Sequence, residues 1–383
     1  MSKGFLFLVV LFFLPAILFA QGYGSKSMLH VQTASTLKPQ RLDFRSNMRF
    51  WTKVGDFLGQ NKPADFDAVN YWVVQSNALM SYGIAEHFDA TFMAEVYQDV
   101  HSGDEANVPG DLYLDLKAGS FELSNNRLNV GGQFSMRFPT GKYHNYPFEP
   151  YSAGSLEFGM FGLFSYYNDP FLPHRDFSFH ANLGWYYHND AGQVLIEGDP
   201  SINKAEQKSQ SNASALRYGL GFVYPTEMFD LNLEMWGNAF LQEPDTFAYS
   251  RENYIYMTPS IRFRPKWWVS FDLGMDIRLS SDSNTTADQI TFTGEGALNL
   301  PNYPGWRMFL GMNFVITPGQ DRLKGGVGDQ GDVRNKVDFY EKLLRERERT
   351  RSIEEELRRL KREREQAEKE LEELRQLLEE EGK

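Results

Sequence analysis

The stretch DFSFHANLGWYYHND, residues 176–190, decides how the whole chain is read. Phe177, Phe179, Ala181, Leu183, Trp185 and Tyr187 alternate with Ser178, His180, Asn182, Gly184, Tyr186 and His188. Period two marks a β-strand with one apolar and one polar face. In a soluble sandwich the apolar row points into a core. In a membrane barrel it points out to lipid and the polar row lines the interior. The stretch fits both, so its surroundings decide.

The same unit repeats between residues 42 and 316. Alternating runs cover 42–52, 70–83, 88–98, 110–120, 127–138, 152–166, 176–189, 211–224, 229–243, 252–264, 267–279 and 305–316, with weaker runs at 28–35 and 288–299. Polar or Gly/Pro/Asn-rich breaks separate them and no helical period intervenes, which predicts antiparallel strands joined as sequential hairpins. Soluble strands average five or six residues, whereas a tilted membrane strand needs about nine to eleven. The runs have the longer length. Aromatic residues gather at run ends: Trp51, Trp72, Tyr166-Tyr167, Trp185-Tyr186-Tyr187, Trp267-Trp268, Tyr303 and Trp306. Such clusters match interfacial girdles. The expectation is that Phe177, Phe179, Leu183 and Trp185 face lipid, while His180, Asn182 and His188 face an aqueous interior.

The predicted architecture is therefore all-β: a transmembrane antiparallel β-barrel of 12 strands, with 14 as the alternative, over residues 21–317, followed by a C-terminal α-helical coiled coil. Tight turns are expected near 84–87, 121–126, 225–228 and 265–266, and long loops near 99–109, 139–151, 190–210 and 244–251. Counted this way, the alternation leaves the two chain ends on opposite sides, so one strand assignment is expected to be wrong, with 280–304 as the suspect.

Residues 1–20, MSKGFLFLVVLFFLPAILFA, read as a secretory signal peptide: Lys3, an apolar run, and Ala20 at the cleavage position. The chain has no cysteine, which excludes disulfide scaffolds and thiolate metal sites. Its net charge is −12, of which residues 335–383 contribute −2 through 16 acidic and 14 basic side chains, so no basic nucleic-acid surface is expected. The seven histidines form no metal motif, and His180 and His188 would lie ~27 Å apart along one strand. No cofactor or metal is expected. No nucleophile elbow or phosphate loop occurs. His144, Ser152 and Glu157 lie near one loop and raise the question of a lipid-modifying barrel enzyme, but polar loop composition accounts for them, and the chain is read as a non-enzyme.

Three stretches carry a family resemblance: GGQFSMRFPTGKYHNYPFEPYSAGSLEFGMFG (131–162), MSYGIAEHFDATFMAEVY (80–97) and SIRFRPKWWVSFDLGMDIRLSS (260–281). Together they resemble the bacterial outer-membrane barrels described as transporters of the phenol meta-degradation pathway. The resemblance implies an outer-membrane barrel that passes small, in some cases aromatic, molecules. Family barrels usually stop at an aromatic residue after the last strand. Here WRMFLGMNF ends at Phe314, and 69 residues follow.

Those residues begin with a Gly-rich linker, 318–334. Over 335–383 a heptad repeat follows, with a seam whose stronger half is Ile353, Leu357, Leu360, Arg364, Ala367, Leu371, Leu374 and Leu378. It reads as a periplasmic coiled coil that makes a homo-oligomer or binds a periplasmic partner; a single solvated charged helix is the alternative.

The polar rows supply the candidate lumen lining: Asp43, Arg45, Arg49, Asp115, Lys117, Arg137, His180, Asn182, Asp230, Glu234, Arg262, Asp272, Asp276, Arg278 and Arg307. Both charge signs point to a pore with a transverse field, or to ion pairs that fill a narrow barrel. Loops 139–151 and 190–210 are the candidate plugs. The functional expectation is an outer-membrane channel for small aromatic or polar solutes, in contact with outer-membrane lipid. The alternative is a closed structural barrel that anchors the coiled coil.

Overall fold

The computed structural model describes residues 26–55, 69–100, 109–124, 127–142, 144–145, 148–169, 176–196, 205–286, 302–319, 357 and 359–368. The strands are β1 (Arg41–Gly55), β2 (Val69–Ala85), β3 (Phe88–Val100), β4 (Leu112–Leu123), β5 (Leu128–Phe138), β6 (Glu157–Tyr167), β7 (Ser178–Tyr187), β8 (Val194–Ile196), β9 (Gln207–Lys208), β10 (Ser214–Pro225), β11 (Phe229–Gln242), β12 (Tyr254–Lys266), β13 (Val269–Arg278) and β14 (Trp306–Pro318). Twelve of them form one closed antiparallel barrel, and β8 and β9 form a separate short ribbon. Sequential neighbours pair throughout. β1 closes the ring against β14, from Arg41 opposite Pro318 to Phe50 opposite Met308. Each of the twelve main runs in the sequence corresponds to one barrel strand.

The barrel is apolar outside and polar inside. Leu183, Trp185, Leu233, Leu273, Leu310 and Met160 are exposed on the outer face, while Glu234, Asp276, Thr258 and Ser165 are fully buried within. A water-soluble fold buries its apolar row, because that burial drives folding. The reversed arrangement is stable in lipid, where a closed barrel satisfies every strand amide and leaves no edge.

Three expectations are corrected. Residues 28–35 are not a strand; among them only Gln32 makes an isolated bridge, to Ser27. The fourteen-strand alternative fails against a ring of twelve, and the parity conflict disappears. β13 and β14 are joined by the long connection 279–305, so Arg41 and Pro318 meet at the same, tight-turn end of the barrel. The weak run 288–299 lies outside the described residues. Third, not every run-end aromatic faces lipid. Trp267 and Trp268 are exposed, but Trp51, Tyr186 and Tyr303 are buried inside. Trp51 packs on Phe148 at 4.5 Å between ring centres.

In the C-terminal region Leu357 and residues 359–368 are helical, with i,i+4 ion pairs Arg359–Glu363 (2.8 Å) and Arg364–Glu368 (3.1 Å). Leu357 and Leu360 of the expected seam are exposed in this single chain. Ile353, Leu371, Leu374 and Leu378, and the signal peptide 1–20, lie outside the described residues.

Leu310 lies on the outer face of β14, opposite Leu273 and Met48. Leu310→Arg is expected to destabilise the bilayer-inserted barrel by about 2–4 kcal/mol, read from denaturant unfolding in liposomes. A shift near zero would show that this face does not meet lipid.

Candidate functional site: a strap across the lumen

The described chain starts inside its own barrel. Residues 26–40 enter the lumen from the tight-turn end and follow the inner wall, and Met28, Leu29, His30, Val31, Gln32, Ala34, Thr36 and Leu37 are all buried. This strap is not in a strand ladder, so its amides need other acceptors. The polar inner rows supply them. The Leu37 amide donates to Asp89 (2.9 Å) on β3, and the Thr36 amide to Ser120 Oγ (2.9 Å) on β4. The Ala34 amide donates to Ser165 Oγ (2.8 Å) on β6. Asn182 on β7 holds Gln32 at both ends, accepting from its amide (2.7 Å) and donating to its carbonyl (2.8 Å).

The tightest point is Glu234 on β11. Its carboxylate accepts three consecutive amides, Leu29 (3.0 Å), His30 (2.7 Å) and Val31 (2.6 Å). The His30 ring lies over Trp236, 4.0 Å between centres, and its Nε2 sits 2.8 Å from Asp276 on β13. Asp276 is in turn held by both Arg307 (2.9 and 3.1 Å) and Thr258 (2.6 Å). At the far end of the strap, Arg45 donates to Ser27 Oγ and to the carbonyls of Ser27 and Met28, and Arg262 donates to the Ser27 carbonyl.

Glycines on the wall make room for the strap. A β-carbon on Gly83 would lie 2.0 Å from the Lys38 carbonyl oxygen, and one on Gly119 would lie 2.2 Å from that of Ala34. On Gly221 and Gly274 it would strike the side chains of Met28 and Leu29. These inward positions, bare in otherwise polar rows, were the available sequence signal for the strap.

The remaining lumen candidates fall into place around it. Arg262 grips Asp272 (2.6 and 3.0 Å), and Asp272 also accepts from Asn313. Arg137 bonds Asp111 (2.6 Å), Arg264 pairs with Asp230 (2.7 Å), Arg41 with Asp43 (2.8 Å), and Lys117 lies 3.9 Å from Asp89. Arg278 donates to the Tyr303 carbonyl and pairs with Asp282 (3.1 Å). Arg49 and Asp115 are buried on the inner face. His180 is buried between Ser165 and Ser178. His180 and Asn182 do face inward, but beside the strap and its partners rather than an aqueous pore. His188 also faces inward, paired with Glu157 at 3.1 Å.

The strap divides the lumen. Below it, towards the tight turns, is a cavity of ≈ 860 Å³ whose lining includes Lys26, Ser27, Arg45, Arg262, Arg264 and Asp230. Above it Ala34 packs with Phe161, Leu163 and Tyr186. There the space narrows to ≈ 50 Å³, bordered by Arg49, Glu95, Asp115, Arg137, Tyr186 and Arg217 among others. At the long-loop end, loops interlock across the mouth. Asn145 donates to the carbonyls of Leu195 (2.9 Å) and Phe247 (3.3 Å), and the Phe148 amide to that of Asn302 (2.9 Å). Tyr151 donates to Asp190; burial, reinforced by that carboxylate, pushes the Tyr151 phenol pKa up, so it stays a neutral donor. The segment threaded through the lumen is thus the N-terminal strap, while the described residues of loop 139–151 bond to neighbouring loops at the mouth. Residues 197–204 of loop 190–210 lie outside the described residues.

The catalytic alternative fails on geometry. His144 directs one nitrogen, Nδ1, at both Ser152 (3.5 Å) and Asp111 (3.8 Å), while Nε2 faces the Gly141 carbonyl (3.1 Å). A nucleophile relay needs the two partners on opposite ring nitrogens. Glu157 is occupied by His188 and by Arg137 (3.6 Å).

No protein-family model matches the chain, and no curated protein matches it by sequence. Among solved structures it is similar to an outer membrane channel from Pseudomonas putida F1, at 9% identity over 74% of this chain and 98% of that one, TM-score 0.47. It is also similar to the NanC porin (10% identity, 71% and 98% covered, TM-score 0.41) and the KdgM porin (8%, 72% and 99%, 0.36).

Glu234→Ala should release the strap tip. Hydrogen bonds to a charged acceptor contribute about 1.5–3 kcal/mol each, so amide exchange at Leu29–Val31 is expected to accelerate by at least about a hundredfold. Exchange in β11 and β12 should stay slow. Unchanged protection at Leu29–Val31 would show that Glu234 does not hold the strap.

Proposed function

We propose that this chain is an outer-membrane channel for small solutes, closed at rest by strap 26–40, which serves as its gate. The observation that carries the reading is how the strap is held. Side chains of the wall hold most of its amides, the Ser120 amide of β4 donates to its Ala34 carbonyl, and no strand-to-strand ladder bond includes it. It can therefore leave without opening the barrel, and its departure would join the ≈ 860 Å³ cavity to the space above. The ion-paired lumen favours polar solutes.

With tight turns on the periplasmic side, as is usual for such barrels, the chain leaves β14 into the periplasm. Residues 335–383 then form a periplasmic helix whose heptad seam joins copies of the chain or a partner. The competing reading, a closed barrel that anchors this helix, rests on the same ion-paired lumen.

Planar-bilayer recording separates the two. The full chain should give brief, small openings, and removal of residues 21–38 should give sustained larger steps. Gly119→Ala, which drives a methyl against the Ala34 carbonyl, should shift the full chain towards the deletion phenotype. Removal of 320–383 should leave the currents unchanged. Silence of the strap-deleted barrel after demonstrated insertion would leave only the anchor.

A further inference from the structure

The narrow space above the strap contains a cation with an unusual setting. Arg217 on β10 borders it and lies with its Cζ 3.4 Å from the centre of the Tyr186 ring. Among the described residues no hydrogen bond or ion pair to its guanidinium occurs; the groups it acts on from farther off include Glu157 and Tyr254. Two of the neighbouring charges are committed. Arg137 is taken by Asp111 and Glu157, and Asp115 accepts from Ser135 and Gln133. Tyr186 itself is fixed from below by the packing of Ala34, Phe161 and Leu163. Gly159 and Gly184 leave the room in which the rings of Tyr186 and Phe161 lie flat against the wall.

We propose that Arg217 is the carboxylate-binding residue of the lumen, so that the solutes this channel selects are small carboxylates. The proposal rests on the channel reading and supplies its substrate class. A guanidinium with one face on a tyrosine keeps its N–H edge for an acceptor, and that planar fork matches the two oxygens of a carboxylate. The space of ≈ 50 Å³ holds three to five waters at ~10–15 Å³ each, about the bulk of one carboxylate group. Phe161 and the ring of Tyr113 border the same space and offer apolar surface to a short hydrocarbon body. Glu95 and Glu149 on its rim would repel a second negative charge, which favours monocarboxylates over dianions.

Saturation-transfer NMR on the full chain folded in detergent tests this without requiring conduction. Acetate should give a saturable methyl signal, and the neutral isostere acetamide should give none. Arg217→Gln should weaken acetate binding at least about tenfold. Arg217→Lys, a point charge without the fork, should fall between. Both variants should retain the heat-resistant migration of the folded barrel on gels. Acetate binding no better than acetamide, or binding unaltered in Arg217→Gln with the barrel folded, would overturn the proposal. A silent strap-deleted barrel that still binds acetate through Arg217 would refute the channel but not the site.

Discussion

Three backbone amides on one buried carboxylate organise this lumen. Glu234 alone inside a membrane barrel would be costly, because an ionised group out of water needs partners that satisfy its lone pairs. Leu29, His30 and Val31 alone in the lumen would be costly too, since no strand accepts from their amides. Each resolves the other's deficit, with bonds of 2.6–3.0 Å. The His30–Asp276–Arg307 chain extends the arrangement across β13 and β14, so the strap tip is tied to the wall on both sides.

The barrel's charges are best understood through this strap. A row of Asp, Glu, Arg and Lys facing inward could hold a water-filled pore or could neutralise itself. Here most of the described pairs are short and buried, and several of the same side chains also reach strap backbone. Arg45 binds no carboxylate within ion-pair distance among the described residues and instead binds the carbonyls of Ser27 and Met28. Arg262 divides its donors between Asp272 and Ser27. A wall that grips a peptide by its polar backbone can release it to water at modest net cost, because water offers equivalent hydrogen bonds. The strap's buried apolar side chains, Met28, Leu29, Val31 and Leu37, have no such substitute and hold it in the closed state.

The barrel was legible because strand periodicity is a local signal. Each strand repeats a two-residue alternation over ten or more residues, and hairpin connectivity then leaves few topologies. The inward identity of Glu234, Asp276 and Arg307 followed from the same period. The strap was not legible, for a physical reason. Residues 28–35 alternate weakly, as an edge strand would, yet the amides of Leu29, His30, Val31, Gln32 and Ala34 are satisfied by side chains 131 to 205 positions away. Period carries no information about such partners. The inward glycines Gly83, Gly119, Gly221 and Gly274 recorded the strap's path as missing side chains. The buried aromatic Trp51 was equally ambiguous, since an indole at a strand end fits a lipid girdle or a lumen. Arg217 lies in a run that was assigned as a strand but was missed as a site residue; its stacking on Tyr186 depends on the pairing of β10 with β7 across residues 188–213.

The most direct test of the gate uses the chain's lack of cysteine. Thr36 on the strap and Ser120 on β4 touch through their hydroxyls at 2.8 Å, so the double variant Thr36→Cys/Ser120→Cys places two thiols where a disulfide can tie strap to wall. Single-channel recording of this variant under reductant should show brief openings. Oxidation should abolish them and dithiothreitol should restore them. Openings of equal frequency and size in the oxidised and reduced protein, with the disulfide confirmed by mass, would contradict the account.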